Sequence, residues 1–329
     1  MSNLTKRNEF YLALVILSLV LILTFTTDQF LTLGNLLELF TSYSFLGIMS
    51  AGMLLVLISG GIDLSFTATA TISQYIMSTV IIEHGGNLFL AFLIGAVVGV
   101  VLGALNGLLI HFIKKHPLII TIATLNIYKG LLMYFTKGKW IYNFPMWFSQ
   151  PHDIFIIENS EGYIFPISLS LFLFFIIFIV TAFILKYTKI GRKIYALGGN
   201  KEAARRMGFN IFGLTLFVYG FMGLLAGIGS VSQALIVQTV APNAIIGKEL
   251  DVIAAVVLGG ASLQGGTGTV LGTFLGVALV AIISNAVILM GIPSYWYEIL
   301  LGTIIVISVS ITAYNNKKIM KREAEIDVA

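Results

Sequence analysis

Lys186 to Asn210 reads KYTKIGRKIYALGGNKEAARRMGFN, the one long polar and basic run in a chain that is otherwise almost entirely apolar. Seven of its residues are cationic: Lys186, Lys189, Arg192, Lys193, Lys201, Arg205 and Arg206. Its second half is punctuated like a short helix. Gly198-Gly199 predict a break and Asn200 an N-cap. Glu202 falls in the first turn, Arg205 and Arg206 in the last, and Gly208 predicts a left-handed end. Two readings fit: a basic loop held at a lipid surface, or a docking helix offered to a soluble partner on the cytoplasmic side. A capped helix of two turns between membrane spans has little reason to form without something to pack on.

The rest of the chain sets the context. It has 329 residues, 58% hydrophobic and only 10% charged, with a mean hydropathy of +0.98. Soluble domains carry about 25% charged residues, so this composition predicts an all-α polytopic membrane protein. No polar stretch reaches the roughly 50 residues of a small soluble domain, and residues 1–329 read as a single transmembrane domain. The net charge of +4 is confined to a few loops, which marks membrane orientation and not nucleic-acid binding. The absence of cysteine excludes disulfides, thiolate metal sites and a cysteine nucleophile. Phe10 to Thr27 is long for a signal peptide and lacks a small-residue cleavage site, so it reads as a retained first span.

A bilayer core of about 30 Å needs about 20 apolar residues per helix. On that template the spans are Phe10–Thr27, Ser42–Ser59, Phe66–Ile82, Leu88–Ile113, Pro117–Phe135, Ile164–Leu185, Ile211–Gln233, Asp251–Leu263, Gly268–Met290 and Glu298–Ala313. The eighth is too short for a full crossing. Ten spans put fifteen cations on one side, from Lys6/Arg7 through Lys114/Lys115 and the opening stretch to Lys317, Lys318, Lys321 and Arg322. Only Lys137, Lys139 and Lys248 fall opposite, so both termini are expected to be cytoplasmic. All three tryptophans lie on the outer side, with the loop of about Thr136 to Tyr163.

Glycines recur every four residues at Gly95, Gly99, Gly103 and Gly107, and again at Gly268, Gly272 and Gly276, predicting helices that pack closely inside the bundle. Two segments look alike. Each runs from an apolar stretch through a glycine pair into small polar residues: Gly60-Gly61-Ile62-Asp63-Leu64-Ser65, and Gly259-Gly260 leading to Gly265-Gly266. Paired interruptions of this kind point to a transport pathway. Uncharged polar groups on the third to fifth spans, Gln74, Asn106, Thr124 and Asn126, suit a neutral, hydroxyl-rich solute. Small hydroxyls also satisfy themselves by bonding back to their own helix. Asp63 and Lys129 read as structural.

Chemistry is not indicated. The four histidines have no metal-ligand spacing, and neither a G-x-S-x-G elbow, an H-E-x-x-H pair nor a Walker A loop is present. The chain is expected to be neither an enzyme nor a holder of cofactor or metal.

Four runs together carry a resemblance: AGMLLVLISGGIDLS (Ala51 to Ser65), TIATLNIYKG (Thr121 to Gly130), ALGGNKEAARRMGFN (Ala196 to Asn210) and DVIAAVVLGGASLQGGTGTVLGT (Asp251 to Thr273). In this order and spacing the chain resembles the permease subunits of bacterial ATP-binding-cassette (ABC) importers for monosaccharides. This is the ribose/xylose/galactose type, which includes autoinducer-2 permeases. The resemblance implies a ten-span permease dimer of identical or different subunits in the bacterial inner membrane. It also implies a cytoplasmic ABC ATPase that carries the ATP and Mg, and an extracytoplasmic sugar-binding protein. It implies that Gly198, Gly199, Asn200, Glu202, Ala203, Ala204, Arg205 and Gly208 contact the ATPase, the segment that the residues alone mark as a docking helix. The chain departs from the family pattern at Phe66-Thr67-Ala68, where V-G-S is usual, and at Lys129, where arginine is usual; both leave the solute open. An ion-coupled secondary carrier of a small neutral solute is the alternative.

Overall fold

An apolar helix with no polar face must be surrounded by protein or lipid. The helix over Ser44–Ile58, SFLGIMSAGMLLVLI, is such a helix, and all 15 of its residues are buried. The computed structural model describes residues 8–158, 162–307 and 310, and this helix is its centre. In chain order the helices are α1 (Asn8–Thr26), α2 (Leu33–Ser42), α3 (Ser44–Ile58), α4 (Phe66–His84), α5 (Leu88–Ile113), α6 (Pro117–Thr136) and the single turn α7 (Met146–Ser149). A hairpin of β1 (Asp153–Glu158) and β2 (Ile164–Ser168) follows. Then come α8 (Leu169–Tyr187), α9 (Lys189–Gly199), α10 (Lys201–Arg206), α11 (Ile211–Val237), α12 (Glu249–Leu258), α13 (Val270–Leu289) and α14 (Tyr295–Ile307).

Among the described residues six helices are long and apolar enough to cross a membrane: α1, α5, α6, α8, α11 and α13. The bent pair α2–α3, with 51° at the joint, makes a seventh. Most of the ten expected spans coincide with helices, and the differences have local causes. The second expected span is only α3; Thr32 caps a separate helix before it by accepting from the Asn35 amide. The sixth begins at Leu169 and not at Ile164, because Ile164–Ser168, which contains Pro166, pairs antiparallel with β1. The eighth is the short α12, as its length implied. Residues 308–309 and 311–313 of the tenth, and Lys6, Arg7, Lys317, Lys318, Lys321 and Arg322, lie outside the described residues.

Glycine makes the tightest helix contact. α5 runs antiparallel to α11, with Gly95, Gly99 and Gly103 set against Gly227, Gly223 and Tyr219. A Cβ on Gly99 would lie 2.1 Å from the Gly223 carbonyl oxygen. The second stripe closes α13 on α12: a Cβ on Gly276 would lie 1.9 Å from the Ala255 oxygen. With no hydrophobic drive between helices in lipid, such close approach supplies the dispersion that holds them together.

The bundle has two distinct ends. At one, His111 stacks edge-on against Phe212, 4.8 Å between ring centres, which puts the end of α5 and Lys114/Lys115 beside the start of α11. Glu9 at the start of α1 accepts from Thr269 Oγ1 at 2.9 Å at this same end. At the other, Ile141 and Val240 pair their backbones, and Phe144 and Phe148 pack with Val231 and Ala234 near the end of α11.

Candidate functional site: where two interrupted helices meet the basic stretch

The basic stretch folds into two short helices. α9 is amphipathic and buries Gly191, Ile194 and Leu197. α10 is capped as its sequence predicts: Asn200 Oδ1 accepts from the Ala203 amide at 2.9 Å, Glu202 occupies the first turn, and Arg205 and Arg206 occupy the last. Gly208 ends it at φ 78°, a backbone angle that side chains resist. One expectation is corrected. Gly198 and Gly199 do not break the chain; they are the last two residues of α9, and the break falls at Asn200.

Gly198 is glycine because nothing else fits. A Cβ there would lie 1.7 Å from the Ile58 carbonyl oxygen and 2.6 Å from the Gly266 amide nitrogen. The Gly266 amide itself donates to the Ile58 oxygen at 2.9 Å. A Cβ on Gly265 would lie 2.7 Å from Gly60 Cα, and Tyr195 donates its hydroxyl to the Gly268 oxygen at 2.7 Å. Both interruptions, the one after α3 and the one after α12, therefore touch each other and the end of α9, backbone against backbone. Gly259 and Gly260 close α12 just before this junction; a Cβ on Gly259 would lie 2.4 Å from the Gly272 oxygen.

A chain of buried hydrogen bonds holds the first interruption from its other side. Asp63 Oδ1 accepts from the Ser65 amide at 2.8 Å and from Ser65 Oγ at 2.6 Å. Asn106 Nδ2 on α5 donates to Ser65 Oγ at 2.6 Å, and Tyr128 on α6 donates to Asn106 Oδ1 at 3.1 Å. Thr121 Oγ1 donates to the Ile62 oxygen at 3.1 Å. Gly61 leaves room for the Tyr219 hydroxyl, which a Cβ would approach to 2.4 Å. In low dielectric the bonded groups from Asp63 to Tyr128 fix one geometry, while the buried Tyr219 hydroxyl beside them has no partner in the protein.

The remaining polar residues are spread along the helices. Gln74 is buried and donates to the Ser230 oxygen on α11 at 2.9 Å. Thr124 is buried and bonds back to Thr121 at 3.2 Å. Asn126 is exposed on α6, donating to Ile122 at 2.9 Å, and Lys129 is exposed beside it. Sequence reading missed Tyr128, Tyr195 and Tyr219, the hydroxyls around the interruption. It also missed the bond from Thr67 on α4 to the buried Glu249 carboxylate at the start of α12. Thr67 stands in the segment where the chain departs from the family pattern, which was its one visible signal. Among the described residues no group of three His, Asp or Glu is placed to hold a metal.

Interrupted helices packed backbone-on-backbone inside an apolar bundle define a membrane permease, since irregular backbone survives at membrane depth only where protein or a water-filled path covers it. The comparisons give the family. Residues 35–309 match the family described as the permease component of branched-chain amino acid transport systems, and the chain belongs to it. It is similar to the ribose import permease protein RbsC of Haemophilus influenzae, 32% identical over 309 residues that cover 94% of this chain and 93% of that one. Against RbsC of Bacillus subtilis it is 33% identical over 297 residues, 88% of each chain. Against the autoinducer 2 import system permease protein LsrC of Photorhabdus luminescens it is 29% identical over 310 residues, 93% and 90% of the two. No solved structure matches. The chain is a multi-pass protein of the bacterial inner membrane and the permease subunit of an ABC importer.

Proposed function

We propose that the solute is a monosaccharide or a similar small neutral polyhydroxy compound, moved inward by alternating access. Two of the relatives are named for ribose and one for autoinducer 2, and the buried polar groups at the interruptions are mostly amides and hydroxyls. ATP and Mg act on a separate cytoplasmic ATPase, and the chain itself carries no cofactor. A second permease subunit, identical or not, completes the pathway, and an extracytoplasmic sugar-binding protein delivers the solute. The full chain crosses the membrane ten times with both termini inside, as charge segregation supports. Gln74, Asn106, Thr124 and Asn126 border the pathway, Asn126 by its exposed amide and the others through the helices they hold.

The observation that carries this reading is the contact of Gly198 with both interruptions. The exposed Lys201, Glu202, Arg205 and Arg206 of α10 follow Gly198 just across the break at Asn200. An ATPase gripping α10 moves α9, and α9 cannot move without displacing Ile58 and Gly266. Repacking at that junction switches the accessible side. Reversing both charges (R205E with R206E) should release the ATPase subunit on detergent purification and abolish ATP-dependent uptake. Full retention of the ATPase by this variant would overturn the docking role. Uptake that survives ATP depletion with an intact ion gradient would favour the ion-coupled carrier instead.

A further inference from the structure

A cavity of about 230 Å³ opens at the end of α3 opposite the junction. It lies where three irregular features converge. Tyr43 is the joint of the 51° bend between α2 and α3; Gln233 stands in the last turns of α11; Lys248 and Asp251 flank the start of α12. Phe45, which lines it, and Ile58 at the junction are 13 residues apart on α3, about 20 Å at 1.5 Å per residue. The cavity thus sits beside the end that carries the Ile141–Val240 pairing, and Ile236 and Lys248 mark its exposed mouth.

Its lining states what would fill it. Lys248 Nζ and Asp251 Oδ2 are 3.4 Å apart, so the two charges of the lining offset each other, and Glu249 and Glu298 near Asp251 disfavour an anion. Gln233 Oε1 is buried with no hydrogen-bond partner in the protein. A buried acceptor without a donor is unfavourable, and a turn of the Gln233 side chain into the cavity lets an incoming hydroxyl correct it. The rings of Tyr43 and Phe45 offer an apolar face, Lys248 adds donors, and Asp251 and Ser42 add acceptors. The volume is below the roughly 300–1,000 Å³ of sites for drug-sized ligands, which favours one small ring over an oligomer. We infer that this cavity is a binding subsite for a single neutral polyol, occupied as the solute enters from the outer side. Gln233 is its specificity-determining residue. The inference rests on the transport reading above.

The chain has no cysteine, so one introduced thiol reports one place. Ile236→Cys, at the mouth of the cavity and with Gln233 left in place, is made in the full transporter, with Leu250→Cys, exposed on α12 and outside the lining, as control. Both are treated in right-side-out vesicles with a membrane-impermeant methanethiosulfonate reagent, with and without D-ribose, D-xylose or D-galactose. Uptake of each sugar by the cysteine-free parent is measured alongside. The transported sugar should slow labelling of I236C about tenfold when present at about ten times its Kd, and leave L250C unchanged. Transport of a sugar with no protection of I236C, or no labelling of I236C from outside at all, overturns the subsite and leaves the transport reading standing. Equal protection of both positions also overturns it, as a global change and not occupancy. Failure of the assembled parent to transport any of these sugars overturns the polyol reading and the subsite with it.

Discussion

Two adjacent glycines test the junction at the scale of single atoms. A methyl group on Gly198 would meet the Ile58 carbonyl and the Gly266 amide, both backbone, whereas a methyl group on Gly199 would meet nothing within 4 Å. Helix propensity favours alanine over glycine by up to about 1 kcal/mol at both positions, so propensity cannot separate the two variants. Overpacking can, at about 1–3 kcal/mol where neighbours are unable to give way. G198A should therefore lose most uptake while still binding the ATPase, whose proposed charged contacts lie on α10, and G199A should transport like the parent. Uptake by G198A within twofold of G199A would mean that the junction yields freely and transmits nothing. The sequence marked both glycines but assigned them to a chain break. A glycine needed for close approach and a glycine needed for a turn look identical until the opposing backbone is in view.

At the scale of helices, the α5–α11 contact is the strongest case of sequence fixing packing. Its α5 half was legible, because four glycines at a spacing of four must share one face. The α11 half was not: Gly223 and Gly227 sit among Gly220 and Gly229, and only the first two face α5. A matched pair follows. G99A drives a methyl group to 2.1 Å from the Gly223 oxygen, while Gly220→Ala meets nothing within 4 Å. G99A should destabilise by about 1–3 kcal/mol and lower the Tm in detergent by several degrees, with G220A unchanged; equal melting of the two would refute the close contact. Elsewhere apolarity hid the elements. β2 merges in hydropathy with α8, and only Pro166 betrays it. α2 escaped because Glu38 and Asn35 pull its composition below that of a span, although Asn35 is bonded to Asn285 across the bundle at 3.2 Å.

The whole molecule is a lever only if α10 and the cavity lie on opposite sides of the membrane. Charge placement predicts it, since positive loops stay inside during insertion. The structure adds that Lys114/Lys115, the α9–α10 stretch and the start of α1 share one end, through the His111–Phe212, Gly198–Ile58 and Glu9–Thr269 contacts. Lys139, whose carbonyl accepts from the Tyr75 hydroxyl at 3.2 Å, belongs to the other. What the sequence could not show was the junction at the first of these ends, because contacts among Ile58, Gly198 and Gly266 are made by backbone atoms that every residue carries. Among the described residues only one helix long enough to cross, α8, separates Lys139 from Lys201, so one labelling experiment decides the orientation. Lys139→Cys should react with an impermeant maleimide in intact cells. Lys201→Cys should react only in inverted vesicles, and should become slower to react when the ATPase subunit is bound over α10. If both react from one face, α8 does not cross, and the motion of α9 has no membrane to work across.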